Sequence, residues 1–403
     1  MIISREKEGT PPRSPADEPV AARSPAIKRV PAFLLVAVAL VLVFIVGVRK
    51  DMTDFGVCYQ AGSRALNGES LYRPSDGHLQ FKYSPAAALF YIPISLFPWE
   101  AAKAVWYALE ILFLIGIFVV SLRLLPFSKT RPALLGLWGF LVLAKFLGRE
   151  LQLGQVNLLI ILLLTLMALA VQEKKDVPAG LLGAASLFFK PYALVFLPYL
   201  LFKKRFRTFA GLGGLLLLGG LAPALVFGWR GNLRAVSEWS RTLGLSTPSL
   251  LAAGDNASLH GLIRKDFPGL SATGIQLILG FLLAVLMALF LSMLLRGNRS
   301  ALPKAETAEI AFLMVLIPLF SPLGWYYNYL YGCLAVFLCV GMIRRLPKAG
   351  RIVLLADFVF IGASLREVLG KTIFNLYRAN SLVTINFLIL LGFLFYARMK
   401  KIA

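Results

Sequence analysis

Apolar and polar residues alternate along this chain in long blocks, without the short periods of soluble strands and helices. Apolar runs of about 17 to 25 residues recur from position 30 onward, the length that carries a helix across bilayer hydrocarbon. They predict helices over 30–48, 101–125, 132–147, 155–171, 206–228, 273–295, 307–320, 324–343, 351–366 and 381–397. Two shorter stretches, 54–67 and 84–96, predict amphipathic helices lying at the membrane interface. The run 178–202 is interrupted by Lys190-Pro191. Proline removes a donor and disfavours the preceding helical turn, so this run is expected to be two half-length helices in a broken hairpin.

Basic residues set the direction of threading. They stand in short clusters at helix ends: KTR at 129–131, KK at 174–175, KKRFR at 203–207, RGNR at 296–299, RR at 344–345 and RMKK at 398–401. Cytoplasmic loops hold topology in this way. With both termini inside, the sizeable loops 49–100, 229–272 and 366–380 all fall outside. Residues 1–29, rich in Pro, Arg and Ser, are expected to be a disordered basic cytoplasmic tail, with 30–403 forming one multi-pass domain.

Composition agrees with this picture. The chain has 403 residues, of which 58% are hydrophobic and 15% charged, more apolar surface than a soluble core could hide. A formal charge of +22 invites a nucleic-acid reading, but the clustered placement makes anionic membrane lipids a sufficient partner. No nucleic acid is expected. Cys58, Cys333 and Cys339 show no ligand spacing, and His78 and His260 are too few for a two-metal centre, so neither a metal nor a cofactor is expected.

The candidate chemistry lies in polar residues that interrupt the apolar pattern. Asp54 suits two roles: capping the helix that starts at 54, or acting as a base under an apolar roof that raises its proton affinity. Asp51 competes for the second role, and Glu69 is a weaker competitor. The stretch KFLGRELQLGQVN at 145–157 is either a polar turn or an anion site, where Arg149 and a helix N-terminus meet a phosphate. Lys190 either snorkels or faces a polar cavity as an anion ligand. DNASLHG at 255–261 contains an N-x-S sequon, and SPLGWYYNYLY at 321–331 gathers aromatics that suit either an interfacial belt or a sugar site. Asn328 has no role in a belt.

Taken in order, these segments resemble the membrane glycosyltransferases of family eighty-seven in the GT-C superfamily, which includes polyprenol-phosphate-mannose-dependent α-mannosyltransferases. The pieces are DFGVCYQAGSRALNGESLY, FKYSPAAALFYIPISLFP, GQVNLLIILLL, AGLLGAASLFFKPYALVFLPYLLFKKRFR, DNASLHGL and FSPLGWYYNYL, spread over most of residues 51–335. The resemblance implies an all-α integral membrane bundle of GT-C type with about 10–12 membrane segments, short broken helices and external interfacial helices. It implies Asp54 as general base, Gly154, Gln155 and Asn157 as the Gly-Gln-x-Asn motif, and Lys190-Pro191 as the Lys-Pro motif. Asp51, Arg149, Gln155, Asn157, Lys190, Asn256, His260, Trp325, Asn328, Lys371 and Arg378 are the expected substrate-binding residues. Two positions depart from the pattern. Gly324 stands where many relatives have a second serine, and Asn328 where they have a histidine.

The implied reaction is inverting transfer of a hexose, mannose first, from a polyprenyl-phosphate-linked donor to a glycan or glycolipid acceptor. It would occur on the outer face of the plasma or inner membrane. The rival is a non-enzymatic transporter or flippase of lipid-linked sugars. That rival predicts internal repeats, and none is visible.

Overall fold

The computed structural model describes residues 37–127, 132–251, 253–297, 304 and 306–402. The expected tail over 1–29 lies outside the described residues. Helices dominate, and an antiparallel bridge between Asn256 and Trp325 is the sole β pairing among the described residues. Among the described residues four stretches are long and apolar enough to cross a membrane: Trp99–Leu124, Ala272–Leu295, Tyr326–Arg345 and Leu382–Met399. A bent pair, Phe206–Leu221 with Ala224–Pro248, passes the same test when taken together. The protein is thus an all-α, multi-pass membrane protein. The tally is below 10–12 in part because other apolar helices, Pro85–Ser95, Asn157–Gln172 and Pro191–Phe202, are shorter than a full span.

The chain begins with α1 (37–46) and then α2 (Thr53–Leu66) and α3 (Pro85–Ser95), close to the two short helices expected. Ser84 caps α3 by accepting from the Ala87 amide, and Pro85 follows at the first helical position, where its missing N–H costs nothing. The α2 and α3 backbones touch at Gly62, where a Cβ would fall 2.7 Å from the Tyr91 carbonyl carbon.

Next come α4 (Trp99–Leu124) and α5 (Pro132–Leu153). The sequence pattern ended α5 at 147 and made GRELQLG a link, whereas the helix continues for six more residues to Leu153 before the chain turns. Gly148 weakens a helix without ending it and keeps negative φ; the chain leaves the helix at Gly154, at φ +65°. A Cβ there would also sit 2.6 Å from Phe55 Cβ, so the turn admits only glycine without strain.

α6 (Asn157–Gln172) and α7 (Asp176–Leu187) follow, and the run breaks where proline physics predicts. Lys190 is extended (φ −143°, ψ 144°), and a 3₁₀ segment over Pro191–Phe196 leads into α8 (Leu197–Phe202). The broken hairpin does return: Arg205 reaches Asp176 at 3.2 Å and the Val171 carbonyl at 3.3 Å. α9 (Phe206–Leu221) then lies against α7 at glycine contacts. A Cβ on Gly180 would meet the Thr208 oxygen at 2.0 Å, and one on Gly211 the Val177 oxygen at 2.4 Å.

Two of the expected loops contain helices. α10 (Ala224–Leu250) occupies much of 229–272, with a kink at Gly228 (φ 69°), and α11 (Leu259–Asp266) completes that segment. α16 (Arg366–Ala379), kinked at Gly370, fills 366–380. Both are amphipathic and charge-bearing, which is why block hydropathy left them as loops. The remaining bundle is α12 (Ala272–Gly297), α13 (Glu306–Phe320), α14 (Cys333–Met342), α15 (Lys348–Ala363) and α17 (Leu382–Met399).

Polar side chains collect at both ends of this bundle. At one end lie the α5–α6 turn, the Lys190 break and the 3₁₀ segment Tyr326–Gly332. At the other, fully buried Glu309 of α13 accepts from Lys203 at 2.9 Å, Tyr199 at 3.1 Å and Arg398 at 3.0 Å. That contact clasps α13 to α8 and α17.

Candidate active site

Asp54 sits in the first turn of α2, half-buried, and its carboxylate accepts from the Gln155 amide. α2 is fixed in register by its neighbours. The Met52 amide donates to the Gln152 carbonyl at 2.8 Å, and Phe55 stacks on Trp99 and Trp106 with centroids 5.6 and 5.3 Å away. Trp106 in turn donates to the Gly154 carbonyl at 3.1 Å. The glycine turn, the rings and the Asp54 end of α2 are therefore one packed unit.

Burial raises the proton affinity of Asp54, and it outweighs the hydrogen bond from Gln155 and the fields of Lys190, Arg149 and Lys82, all of which lower it. Asp54 forms no ion pair among the described residues; its direct partner is a neutral amide. Lys82 is affected in reverse. Burial lowers its proton affinity and Asp54 partly restores it. Its carbonyl is held by Trp239 of α10 at 3.0 Å.

Asn157 is the hub behind Asp54. It is fully buried at the start of α6 and donates to Glu150 at 2.8 Å and to Asn328 at 3.4 Å. Its oxygen accepts from Lys190 at 2.6 Å and Tyr331 at 3.0 Å. Asn328 donates to the Tyr192 hydroxyl at 3.5 Å, and Gln155 to the Tyr327 hydroxyl at 3.3 Å. Four separate parts of the chain thus converge: α2, the α5–α6 turn, the Lys190 break and the 326–332 segment. The capping serine of α3 also helps place Lys190, because Ser84 donates to the Phe188 carbonyl at 2.7 Å.

Asp51 accepts from Gln152 at 2.6 Å, and Arg149 donates to the same Gln152 at 2.9 Å, so both flank the cluster. Other expected substrate-binding residues lie elsewhere. The Asn256 amide is spent on the Leu251 and Pro322 carbonyls and on the Ser258 and Gly324 amides, locking two loops together. Arg378 pairs with Asp255 at 2.8 Å, Lys371 is exposed, and Trp325 meets Asn256 through its backbone. His260 has a buried Nδ1 without a partner, and burial, aided by Arg264, lowers its proton affinity. Gly324 has a steric reason: a Cβ would fall 2.3 Å from the Pro318 oxygen.

The sequence reading gave no site role to Glu150 or Tyr331, although both stand in stretches it singled out, and it missed Tyr192 and Lys82 as members of this cluster. Lys82 carried a signal, a cation between aromatic residues in FKY. Lys145, grouped with Arg149 by sequence, instead donates to Ser364 and lies over the rings of Phe146 and Tyr377. Among the described residues no group of three or more His, Cys, Asp or Glu side chains is placed to hold a metal ion.

The fold and this cluster define a membrane-embedded helical bundle with an unpaired carboxylate, amides and cations gathered at one end. The chain belongs to glycosyltransferase family 87, whose family model matches residues 81–322, more than half of its length. It is a glycosyltransferase, with a sugar donor and an acceptor as substrates. No curated protein and no solved structure matches it. Gln155, Asn157 and Lys190 fall inside the matched stretch, while Asp54 precedes it and Asn328 follows it.

Proposed function

We propose that this glycosyltransferase moves a hexose, mannose first, from a polyprenyl-phosphate donor to a glycan or glycolipid on the outer face of the membrane. Asp54 takes the proton of the acceptor hydroxyl. The acceptor oxygen forms its bond to the anomeric carbon as the bond to the donor phosphate oxygen breaks, with inversion. The lipid phosphate leaves with the electron pair, and Lys190, Arg149 and Lys82 stabilise its charge. Direct displacement needs one base, unlike the carboxylate pair of glycosidases.

The observation that carries this reading is a half-buried carboxylate held by a neutral amide, with cations around it but not paired to it. Such a group is poised to accept a proton instead of being consumed in a salt bridge. Outward orientation is supported by the basic residues at the Glu309 end, among them Lys203, Arg205, Arg344, Arg345, Lys400 and Lys401, as the positive-inside tendency requires. A donor anchored by its own leaving group also accounts for a membrane-embedded site.

The test is transfer by purified protein in lipid, using labelled polyprenyl-phosphate mannose and a membrane glycolipid extract. Label is expected in product with the native chain and not with Asp54→Asn. Transfer by the folded Asp54→Asn chain would remove Asp54 as the base, and label from another lipid-linked sugar alone would change the donor.

A further inference from the structure

At the Glu309 end an open groove runs between α15 and α17. It holds about 280 Å³ of free space, and its walls are apolar: Leu346, Gly350, Ile389, Gly392, Phe393 and Tyr396. Its depth comes from two absent side chains. A Cβ on Gly392 would meet nothing within 4 Å, and one on Gly350 would make only ordinary contacts, 3.6 Å to Pro347 and 3.7 Å to Phe393.

The rim has the opposite character. Arg344, Arg345, Lys348, Arg351, Lys400 and Lys401 are all exposed there. Arg345 donates to the Ile402 carbonyl at 3.0 Å, which draws the end of α17 beside the start of α15 and makes the six cations one patch. Arg351 donates to the Arg344 and Leu346 carbonyls at 3.3 and 3.4 Å. None of the six pairs with a carboxylate among the described residues. No Asp or Glu occurs over 340–356 or 381–403, and nearby Glu309 is already taken by Lys203 and Arg398.

We propose that this groove seats one anionic phospholipid, with its phosphate headgroup on the basic rim and an acyl chain between α15 and α17. Cations not neutralised by a carboxylate attract an anionic headgroup at the membrane surface, and an apolar slot beside them takes the chain. Basic clusters alone would give only diffuse attraction to anionic lipid; the adjoining groove is what makes a defined seat. The site lies at the end away from Asp54, so it is not the place of the sugar donor. It also stands independently of the donor assigned above.

The experiment is native mass spectrometry on the delipidated full chain in detergent, titrated with phosphatidylglycerol or with phosphatidylcholine of the same acyl chains. One phosphatidylglycerol is expected to bind at several-fold lower concentration than phosphatidylcholine. Gly350→Leu with Gly392→Leu, which fills the groove, and Lys348→Gln with Lys400→Gln, which weakens the rim, should each reduce that binding several-fold. Phosphatidylglycerol should raise the Tm of the native chain more than that of the groove-filled variant. Equal binding of the two lipids by the native chain would overturn the headgroup preference. Undiminished phosphatidylglycerol binding in the groove-filled chain would overturn the seat. If that variant does not fold, undiminished binding in the rim variant overturns the proposal instead.

Discussion

Asp54 and Glu309 are carboxylates at opposite ends of one bundle, and they are held in opposite ways. Glu309 is fully buried, with two cations and a tyrosine hydroxyl on its oxygens. Asp54 is half-buried and accepts from a single neutral amide, with its cations nearby but unpaired. The first arrangement spends the charge on holding helices together. The second keeps the charge available, which a base requires. Burial therefore does not mark function in this protein; what separates the two sites is whether the acid is already neutralised.

Each half of that contrast can be attacked. The largest effect is expected from Asp54→Asn, which should lower turnover by about 10²- to 10⁴-fold while leaving the thermal unfolding profile near native. Steady-state transfer alongside a melting curve checks both. Glu309→Gln should do the reverse. It leaves Arg398 buried without its counter-ion, an expected loss of about 3–5 kcal/mol of stability, read from denaturant or thermal unfolding in detergent. If Glu309→Gln melted like the native chain, the clasp would not be structural.

Smaller changes sharpen the comparison. Gly154→Ala forces a side chain into the left-handed region and against Phe55, a cost on the order of 1–2 kcal/mol for the backbone alone. It should therefore lower Tm and turnover together. Gln155→Leu removes a hydrogen bond that favours the charged form of Asp54, so the proton affinity of Asp54 should rise further. Because a base works only when deprotonated, the acid limb of the pH–rate profile should move to higher pH. A limb that moved down, or stayed in place, would break the coupling. The smallest effect is expected from Glu69→Gln. Glu69 pairs with Arg73 at 2.5 Å on the surface, and its loss should change turnover and stability little, the latter by about 0.5 kcal/mol or less.

Much of the architecture was legible because membrane helices obey few rules. α2 followed from a short amphipathic run, α3 formed where expected but as an apolar helix and not an amphipathic one, and the break at Lys190-Pro191 followed from proline sterics. Loop helices α10 and α16 were not legible, since charged amphipathic runs between apolar blocks look like solvated links. In the site, Asp54, Gln155, Asn157, Lys190 and Asn328 were singled out and do converge. Glu150 was not assigned, because an acid in a polar stretch reads as solvated unless one knows that Asn157 and the Leu158 amide fold over it. Lys145, one turn before Arg149 in the same polar stretch, is instead used in packing against α15 and α16, through Ser364 and the Tyr377 ring. Asn256 carried a motif whose polarity serves loop cross-linking.

Phe55 sits between Trp99 and Trp106 one residue after Asp54, and this turns an ordinary aromatic contact into an angular index. Successive residues on a helix are separated by roughly 100° of rotation. Were α2 to slip by a single residue against those two rings, the carboxylate would swing away from Gln155 and a neighbouring side chain would face the cluster instead. The two tryptophans thus fix, like teeth against a ratchet wheel, which residue of α2 faces the Gln155 cluster.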